Sequence, residues 1–221
     1  DELATYNIYS LELINDYGTP ETIWEAINGS ESIIWTKSAT AEINNFLKRE
    51  SWKFVTKQEL IDQGRKLIDV KWVFKIKDEP DHSKRYKSRI VTKGFQQIPG
   101  VDYTEKFSPV AQASSLRAGL SYTLYKNGWV CELVDIEAAF LEGRLKSKCY
   151  IKLPPGIVEL GFMSKKQYEE LCIELQGGMY GNVDAALLYF IRFTDYATKK
   201  NGLDMIQSLA DPCVFYKKDG E

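Results

Sequence analysis

Hydrophobic and polar residues alternate along two neighbouring segments of the chain. In KWVFKIK, residues 71–77, the apolar side chains Trp72, Phe74 and Ile76 are separated by single residues. This period of two is typical of a half-buried strand. RYKSRIVTKG, residues 85–94, repeats the alternation, and the DEPDHSK stretch between the two segments has the composition of a turn. The pattern predicts a two-stranded hairpin with one basic face.

Apolar residues at helical spacing predict three longer helices and one short one. The first covers residues 38–49. The second, SSLRAGLSYTLYKNG, has a serine start, a leucine at every fourth position and a closing glycine. The third, VDAALLYFIRFTDYATKKNG, is predicted to be the longest helix and to end at Asn201 and Gly202. EAAFLEG, residues 137–143, predicts the short helix.

Segments rich in β-branched and aromatic residues predict the other strands. Trp52 and Phe54 mark an extended segment, and WVCELVDI predicts a strand that ends at Asp135 and Ile136. CYIKLPPG predicts a strand broken by its prolines, and QYEELCIELQGGMYGN two short strands or a strand and a turn. DPCVFYKKDGE predicts the first strand of a further hairpin. Helices interleaved with antiparallel pairs predict an α+β fold.

Charge is distributed unevenly along the 221 residues. The formal net charge is −2, but residues 65–93 contain ten Lys/Arg against four acidic residues, a local net charge of +6. A basic region on a mildly acidic protein is typical of a surface that faces phosphates. The alternative is a solvated hairpin face that the lysines keep soluble.

Cysteine and histidine usage limits the possible chemistry. The four cysteines are widely scattered, without a paired spacing, which indicates a reducing compartment. The single histidine, His82, lies in the predicted turn, so zinc sites and Ser-His-Asp catalysis are poorly supported. A metal would have to be held by carboxylates, which favours magnesium or manganese.

Neither membrane insertion nor a complete chain is expected. No apolar run approaches the ~18 residues of a membrane span, and no signal peptide is visible. The chain starts at Asp1 without methionine and stops at YKKDGE. We therefore expect a piece of a longer polypeptide.

Asp135 in VDIEAAFLEG has two interpretations. Taken alone, an acidic residue between an apolar run and an alanine-rich segment is more often a helix N-cap than a metal ligand. A carboxylate at a strand end, followed by a helix with small residues, also suits a polymerase, which needs carboxylates to hold two divalent ions.

The order of several motifs resembles one family. KWVFKIK, RYKSRIVTKGFQQIPGVDYTEKFSPVA, LVDIEAAFLEGRL, CYIKLPPG, MYGNVDAA and DPCVFYKK follow one another as in the reverse transcriptases of copia-type retrotransposons. The resemblance runs from about Trp35 to the end of the chain. It implies a right-hand polymerase fold, with fingers and a partial palm over residues 35–221 and an upstream polyprotein segment over residues 1–34.

The same resemblance implies an activity and its partners. The activity would be DNA synthesis on RNA or DNA templates from deoxynucleoside triphosphates, with Mg²⁺ or Mn²⁺. The partners would be a primed template and the rest of the polyprotein, namely the remaining palm, thumb, RNase H and integrase, and no membrane. The expected location is the cytoplasm, within virus-like particles, or the nucleus.

The resemblance assigns roles to five residues of one segment. Asp135 would be the first metal-binding aspartate of the palm, and Ile136 would add its backbone carbonyl. Ala138 and Ala139 would meet the triphosphate through backbone amides. Phe140 would lie under the sugar and select deoxynucleotides, although its spacing alone favours a core phenylalanine.

Three further positions carry implied nucleotide contacts. Arg89 would cover the triphosphate with its planar guanidinium group. Lys75 or Lys77 would be a second cation, and the sequence does not decide between them. Gly181 would allow close backbone approach beside the nucleotide pocket.

Two departures from the family pattern matter. YGNVDAALLYF lacks the lysine, proline and arginine usual after the Tyr-Gly pair, which argues against template contacts for residues 182–186. The aromatic-x-Asp-Asp hairpin expected after CVFYKKDGE is absent, so we expect the chain alone to be inactive. The alternatives are a non-catalytic nucleic-acid-binding remnant of a retroelement and an unrelated α+β interaction domain.

Overall fold

A computed structural model of the protein describes residues 18–126 and 128–217. Its helices are α1 (Ile23–Asn28), α2 (Ser32–Lys48), α3 (Lys57–Asp62), α4 (Ala113–Tyr125), α5 (Lys165–Glu170) and α6 (Ala185–Thr198). Its strands are β1 (Trp52–Thr56), β2 (Val70–Asp78), β3 (Lys84–Thr92), β4 (Arg144–Ile151), β5 (Leu171–Gly177), β6 (Ile206–Gln207) and β7 (Phe215–Tyr216). Single 3₁₀ turns cover Gly94–Gln96 and Ala139–Glu142.

The strands form three antiparallel units. β1, β5 and β4 make a three-stranded sheet with β5 in the centre, β2 and β3 make a hairpin, and β6 pairs with β7. The backbone at Ile68, just before β2, bridges to Ile151 at the end of β4. This bridge joins the base of the hairpin to the three-stranded sheet. Helices and antiparallel sheets alternate along the chain, in agreement with the predicted α+β class.

The predicted hairpin is confirmed. Its register runs without a shift from Val70 opposite Thr92 to Asp78 opposite Lys84. Val70, Trp72 and Phe74 are buried and Ile76 is half-buried, while the β2 residues that alternate with them are exposed. The alternation seen in the sequence is therefore the alternation of the two faces.

Helix α2 packs the apolar face of the hairpin into the main core. Trp35 meets Phe74 and Tyr86 edge-on, with ring centroids 5.3 Å and 4.9 Å apart. Near the end of the helix, Phe46 stacks on Trp52 of β1 with centroids 4.5 Å apart. Aromatic pairs in these geometries contribute about 0.5–1.5 kcal/mol beyond the burial of their area. One helix thus fastens both the hairpin and the three-stranded sheet.

The boundaries of α2 and the rank of α6 differ from prediction. α2 begins at Ser32 rather than residue 38 and has 17 residues, so it is longer than α6, which has 14. The prediction missed the first turn because Ile33 and Ile34 there are β-branched and exposed. The buried series of α2 starts at Trp35 and continues through Ala39. α6 ends at Thr198, before the predicted Asn201 and Gly202.

The predicted strand over residues 129–136 is wrong. This stretch has no regular secondary structure, and Leu133 is fully exposed. β-branched and aromatic composition indicates a residue set that suits a sheet, but a strand also needs a neighbour for its hydrogen bonds. Helix α4 is confirmed, yet it buries no residue within the described chain and begins at Ala113, so its predicted serine start lies inside the helix.

Three shorter predictions need correction. The 137–143 helix is a single 3₁₀ turn over Ala139–Glu142. Part of QYEELC forms α5, because Ser164 and Gln167 close a capping box at its start, and β5 follows directly. β7 pairs back with β6, so the DPCVFY segment supplies a second strand rather than a first one; residues 218–221 lie outside the described residues. β4 is confirmed and ends before the prolines.

Side chains of α2 cover the outer edge of β3. The Ser88 amide donates to Oγ of Ser38 over 3.0 Å, and the Ile90 amide donates to Oε1 of Glu42 over 3.3 Å. Ser38 and Glu42 are four residues apart and therefore share one face of α2. An open strand edge would leave these amides unpaired, and the helix supplies their partners instead.

The end of β3 continues this contact with the turn that follows β5. The Thr92 amide donates to the carbonyl of Tyr180 over 2.8 Å, and the Thr92 hydroxyl oxygen lies 3.1 Å from the same carbonyl oxygen. Gly94 and Gly181 sit back to back at this point. A Cβ built on Gly94 would lie 2.0 Å from the Gly181 carbonyl oxygen, and one on Gly181 would lie 2.2 Å from the Thr92 oxygen. Only glycine permits this approach.

We predict that Gly94→Ala destabilises the chain by about 1–3 kcal/mol, because the new methyl group must displace backbone rather than a flexible side chain. Urea unfolding followed by circular dichroism measures this change. Gly119→Ala in α4 is the matched control: its Cβ meets nothing within 4 Å. That substitution should stabilise the helix by up to about 1 kcal/mol. Equal unfolding midpoints for Gly94→Ala and the unmodified chain would contradict the close packing.

Candidate functional site

The outward face of the hairpin places like charges directly opposite each other. Lys75 faces Lys87, and Lys77 faces Arg85. Arg89 is the next outward residue of β3 after Lys87 and lies opposite Val73. Like charges at opposed positions destabilise an antiparallel pair. The arrangement therefore lowers local stability unless an anion lies over the face.

The ends of the basic region are neutralised by the protein itself. Arg65 pairs with Asp102 at 3.0 Å. Asp69 pairs with Lys152 at 2.7 Å and with Lys93 at 3.5 Å. The hydrogen bond from Lys152, followed by smaller contributions from other neighbours, lowers the pKa of Asp69 to about 2. These pairs leave the middle of the hairpin as the part of the region with surplus positive charge.

The central cations have no carboxylate within ion-pair distance in the described part of the chain. This holds for Lys75, Lys77, Lys87 and Arg89. Burial lowers the pKa of Lys87, and the charges of Arg89, Arg85 and Lys77 lower it further. The concentration of positive charge around Lys87 therefore favours the binding of an anion at this face.

A series of ring contacts leads from the hairpin to the Asp135 segment. The guanidinium carbon of Arg89 lies 4.8 Å from the centroid of the Tyr180 ring. Tyr180 meets Phe140 edge-on at 5.9 Å, and Phe140 meets Tyr189 of α6 edge-on at 6.5 Å. The Nε atom of Arg89 is buried and has no hydrogen-bond partner within residues 18–126 and 128–217. The structure thus brings Arg89 and Phe140, which are far apart in sequence, into contact with the same tyrosine ring.

Asp135 and Ile136 lie at the exposed end of this series. Both residues are exposed, and burial together with the charge of Asp135 raises the pKa of Tyr189. The N-cap interpretation of Asp135 is wrong: the residue at the N-cap of the following 3₁₀ turn is Ala138, and no side chain caps that turn. Among the described residues, none pairs with the Asp135 carboxylate, which lies beside the aromatic series and does not cap the turn.

The backbone bends sharply between Asp135 and Phe140. Ala138 has φ 53° and ψ 36°, the left-handed region that non-glycine residues rarely occupy. Arg49, at the end of α2, holds both sides of the bend: it donates to the carbonyl of Glu137 over 3.5 Å and forms an ion pair with Glu142. Strain held in place by surrounding contacts is typical of functional sites. Ala138 and Ala139 are half-buried there.

The residues after Gly181 are structural. Asn182 is buried and accepts from the Thr92 hydroxyl at 2.7 Å, and the amide of Val183 donates to Gln97 at 2.8 Å. Asp184 is also buried, and burial raises the pKa of its carboxyl group. These positions are not available to a template, in line with the departure of this segment from the family pattern.

Sequence reasoning missed Tyr180, Glu42 and Arg49. Tyr180 carried a signal, since it directly precedes Gly181 in the motif that marked that glycine. Glu42 and Arg49 carried none, because their contacts with Ile90 and Glu137 span 48 and 88 residues of sequence. Such distant contacts follow from how α2 packs, which no local pattern encodes.

Neither an acidic metal cluster nor a membrane-spanning helix occurs in the described part of the chain. Residues 18–126 and 128–217 contain no group of three or more His, Cys, Asp or Glu that could hold a metal ion. Among the same residues, no helix is both long and apolar enough to cross a membrane.

The chain matches known proteins over most of its length. The family model for reverse transcriptase (RNA-dependent DNA polymerase) matches residues 49–221. The Retrovirus-related Pol polyprotein from transposon TNT 1-94 of Nicotiana tabacum is 31% identical over 95% of this chain. That from transposon RE2 of Arabidopsis thaliana is 29% identical over 88%, and the truncated transposon Ty1-A Gag-Pol polyprotein of Saccharomyces cerevisiae is 27% identical over 79%.

The same matches cover only a small part of each relative. The chain spans 15% of the TNT 1-94 polyprotein and 13% of the RE2 and Ty1-A polyproteins. No solved structure matches the chain. The extent of the family match excludes the unrelated interaction domain considered above. The chain belongs to the reverse transcriptase (RNA-dependent DNA polymerase) family, in the form carried by the Pol polyproteins of copia-type retrotransposons.

Proposed function

We propose that residues 35–221 form the fingers and the first part of the palm of a right-hand polymerase that copies RNA or DNA into DNA. The observation that carries this proposal is the series Arg89–Tyr180–Phe140–Tyr189, whose last ring feels the charge of Asp135. A phosphate-binding cation, an aromatic side chain and a free carboxylate are thereby collected within one surface. Such a surface suits a nucleoside triphosphate, which presents phosphates, a sugar and oxygen ligands for a metal.

Arg89 and one lysine are the proposed triphosphate contacts. Arg89 forms no ion pair within residues 18–126 and 128–217, and its planar guanidinium group can bind two phosphate oxygens at once. In the hairpin register, Lys75 lies two pairs from the Arg89 position and is its diagonal neighbour on the same face, whereas Lys77 lies four pairs away. A diagonal neighbour on the same face lies about 7–8 Å away, within reach of a shared triphosphate. We therefore favour Lys75 over Lys77.

Phe140 is the proposed sugar-selecting residue. It is half-buried, and it packs between Tyr180 and Tyr189 rather than within the main core. The left-handed backbone at Ala138 redirects the chain just before it, so that the amides near Ala139 precede the phenylalanine on one surface. A ring held in this way would clash with a ribose 2′-hydroxyl, while the amides would meet the phosphates. Gly181 would keep the Tyr180 turn against β3.

The fit of a divalent metal to these residues is partial. The Asp135 carboxylate and the Ile136 carbonyl are oxygen donors of the kind that Mg²⁺ and Mn²⁺ prefer. One carboxylate is too few for a two-metal polymerase site, and the described residues hold no larger acidic cluster. When bound, the ions would neutralise developing charge on the phosphates. Asp135 would then be one ligand of a set completed by acidic residues outside the described part of the chain.

The proposed partners follow from this assignment. A primed RNA or DNA template would lie along the basic hairpin, and deoxynucleoside triphosphates would bind at the ring series. The rest of the Pol polyprotein would supply the remaining parts of the polymerase. The main alternative, a non-catalytic nucleic-acid-binding remnant, keeps the hairpin contacts but not the nucleotide site.

The first prediction concerns nucleic-acid binding by the hairpin. Binding of a primer–template duplex to residues 1–221 should weaken steeply with salt, because each phosphate contact releases counterions. Replacing Lys75, Lys77 and Arg89 together by glutamine should flatten the slope of log affinity against log salt by up to about 0.9 for each phosphate that is no longer neutralised. Fluorescence anisotropy over a salt series measures the slope.

The matched control replaces Lys165, Lys166 and Lys200, all exposed and outside the hairpin. Equal slopes for the two triple variants would indicate that the basic side of the hairpin is a solvated face that does not contact phosphates.

The second prediction concerns Asp135 in a longer Pol polypeptide that extends primers. Asp135→Asn removes a charge and keeps the size, so primer extension should fall by orders of magnitude while the unfolding midpoint stays unchanged, since the side chain is exposed. Glu137→Gln, two residues away and equally exposed, is the control and should stay active.

Residues 1–221 alone should give no extension with magnesium and all four deoxynucleotides, because residues 18–126 and 128–217 hold no acidic cluster that could form a two-metal site with Asp135. Near-normal extension by Asp135→Asn would rule out the metal-ligand role. Robust extension by residues 1–221 would show that no other carboxylates are needed.

The third prediction concerns Phe140. Phe140→Ala in the longer polypeptide should raise the incorporation of ribonucleotides relative to deoxynucleotides, because the ring no longer blocks the 2′-hydroxyl. Single-nucleotide incorporation with matched nucleotide pairs measures this ratio. A core phenylalanine would instead lose about 3–5 kcal/mol of stability on truncation. Lower stability with unchanged sugar selectivity would contradict the proposed role.

A further inference from the structure

Glu42 accepts a hydrogen bond from the edge of β3, a role for which a neutral side chain would suffice. On the same face of α2, Ser38 binds the edge of β3 with a hydroxyl: it accepts from the Ser88 amide at 3.0 Å and donates to the Tyr86 carbonyl at 3.1 Å. Glu42 makes the equivalent contact with the Ile90 amide through Oε1 at 3.3 Å. A glutamine would accept the same hydrogen bond without bringing a charge into this contact.

The charge of Glu42 is costly at this position. Burial raises its pKa to about 7, although the Ile90 amide, then Arg89 and Lys87, act in the opposite direction. Glu42 is half-buried, and a carboxylate withdrawn from water loses solvation that an ion pair normally replaces. The need to cover the edge of β3 therefore explains why residue 42 has a hydrogen-bond acceptor, but it does not explain why that acceptor is an ionisable carboxyl group.

Arg89 is the neighbour through which the negative charge of Glu42 can affect the candidate site. It precedes Ile90 in β3, its guanidinium lies over the ring of Tyr180, and its Nε is buried without a hydrogen-bond partner in the described residues. No carboxylate of the described residues comes within ion-pair distance of it. Glu42 thus acts on Arg89 through space without capturing it, and the arginine stays available to a ligand.

We propose that Glu42 is a positioning residue for Arg89. In the free protein, the negative charge of its carboxylate attracts the guanidinium group that lies over Tyr180. When a triphosphate binds Arg89, the Glu42 carboxylate takes up a proton. This inference rests on the proposed role of Arg89 as a triphosphate contact. No covalent bond forms or breaks, and the proton comes from the solvent. The charged and titratable groups that face Glu42 are Lys87 and Arg89 from β3 and Tyr180 from the turn after β5.

The direction of the pH effect follows from the sign of each charge. Above pH 7 the ionised Glu42 attracts Arg89 and competes with the phosphates. Below that pH the protonated group no longer competes, so a triphosphate should bind more tightly. A bound triphosphate withdraws the favourable field of Arg89 from Glu42, which raises the pKa of Glu42 further and drives proton uptake near neutrality.

The experiment uses residues 1–221 and inorganic tripolyphosphate as the probe, without metal. Isothermal titration calorimetry near neutral pH, in buffers of different ionisation enthalpy, gives the affinity and the number of protons taken up. The unmodified chain should take up more protons than Glu42→Gln, by a fraction that approaches one. Its affinity should also fall more between slightly acidic and slightly alkaline pH, by up to about tenfold for each pKa unit of coupling. The probe's own titration is common to both proteins and cancels in the comparison.

Two further variants separate the possible results. Arg89→Gln should weaken tripolyphosphate binding and abolish the difference that Glu42→Gln makes. Ser38→Ala is the matched structural control: it removes edge contacts of β3 without a charge and should lower stability while leaving proton uptake unchanged. Carbon-detected NMR titration of the Glu42 carboxyl should show a higher midpoint in Arg89→Gln than in the unmodified chain, since Arg89 lowers that pKa.

The outcomes distinguish this inference from the function on which it rests. Unchanged tripolyphosphate affinity in Arg89→Gln, or no binding by the unmodified chain, overturns the proposed role of Arg89 and this inference with it. Weaker binding in Arg89→Gln, with equal proton uptake by Glu42→Gln and the unmodified chain, overturns only the role of Glu42. An equal Glu42 titration midpoint with and without Arg89 also overturns it, and that measurement stays decisive if Glu42→Gln fails to fold.

Discussion

The covered edge of β3 is the contact on which the candidate site depends. α2 supplies Ser38 and Glu42 to successive amides of that edge, and the turn after β5 supplies the Tyr180 carbonyl to the next one. A two-stranded hairpin is marginal by itself in water. Bound along its full edge, it becomes part of the main core, and its outward face acquires a fixed position relative to the rest of the protein.

The position of Arg89 follows from that contact. The same turn that accepts from β3 through its backbone presents the Tyr180 ring to Arg89 and to Phe140. The back-to-back glycines allow the approach, because either one with a side chain would push the turn away from the strand. Backbone pairing and side-chain contact are thus two consequences of one packing arrangement.

Several unfavourable features occur together at this surface. The hairpin opposes lysine to lysine and lysine to arginine, Glu42 is a half-buried acid, and Ala138 has left-handed backbone. Each of these features lowers local stability, and a bound polyanion would offset the like charges of the hairpin. Proteins tolerate such local conflicts mainly at functional sites, where surrounding structure holds them in place.

The sequence by itself determined the elements whose pattern is local. The alternation in KWVFKIK and RYKSRIVTKG predicted the hairpin, its faces and its basic charge, and the order of motifs identified the family. It could not decide which segments find partners: the β-prone residues 129–136 form no strand, since strand formation depends on a neighbouring strand rather than on composition. Only the tertiary structure brought Glu42, Tyr180 and Phe140 around Arg89, because these contacts join residues far apart in the chain through the packing of α2 and of the Tyr180 turn against β3.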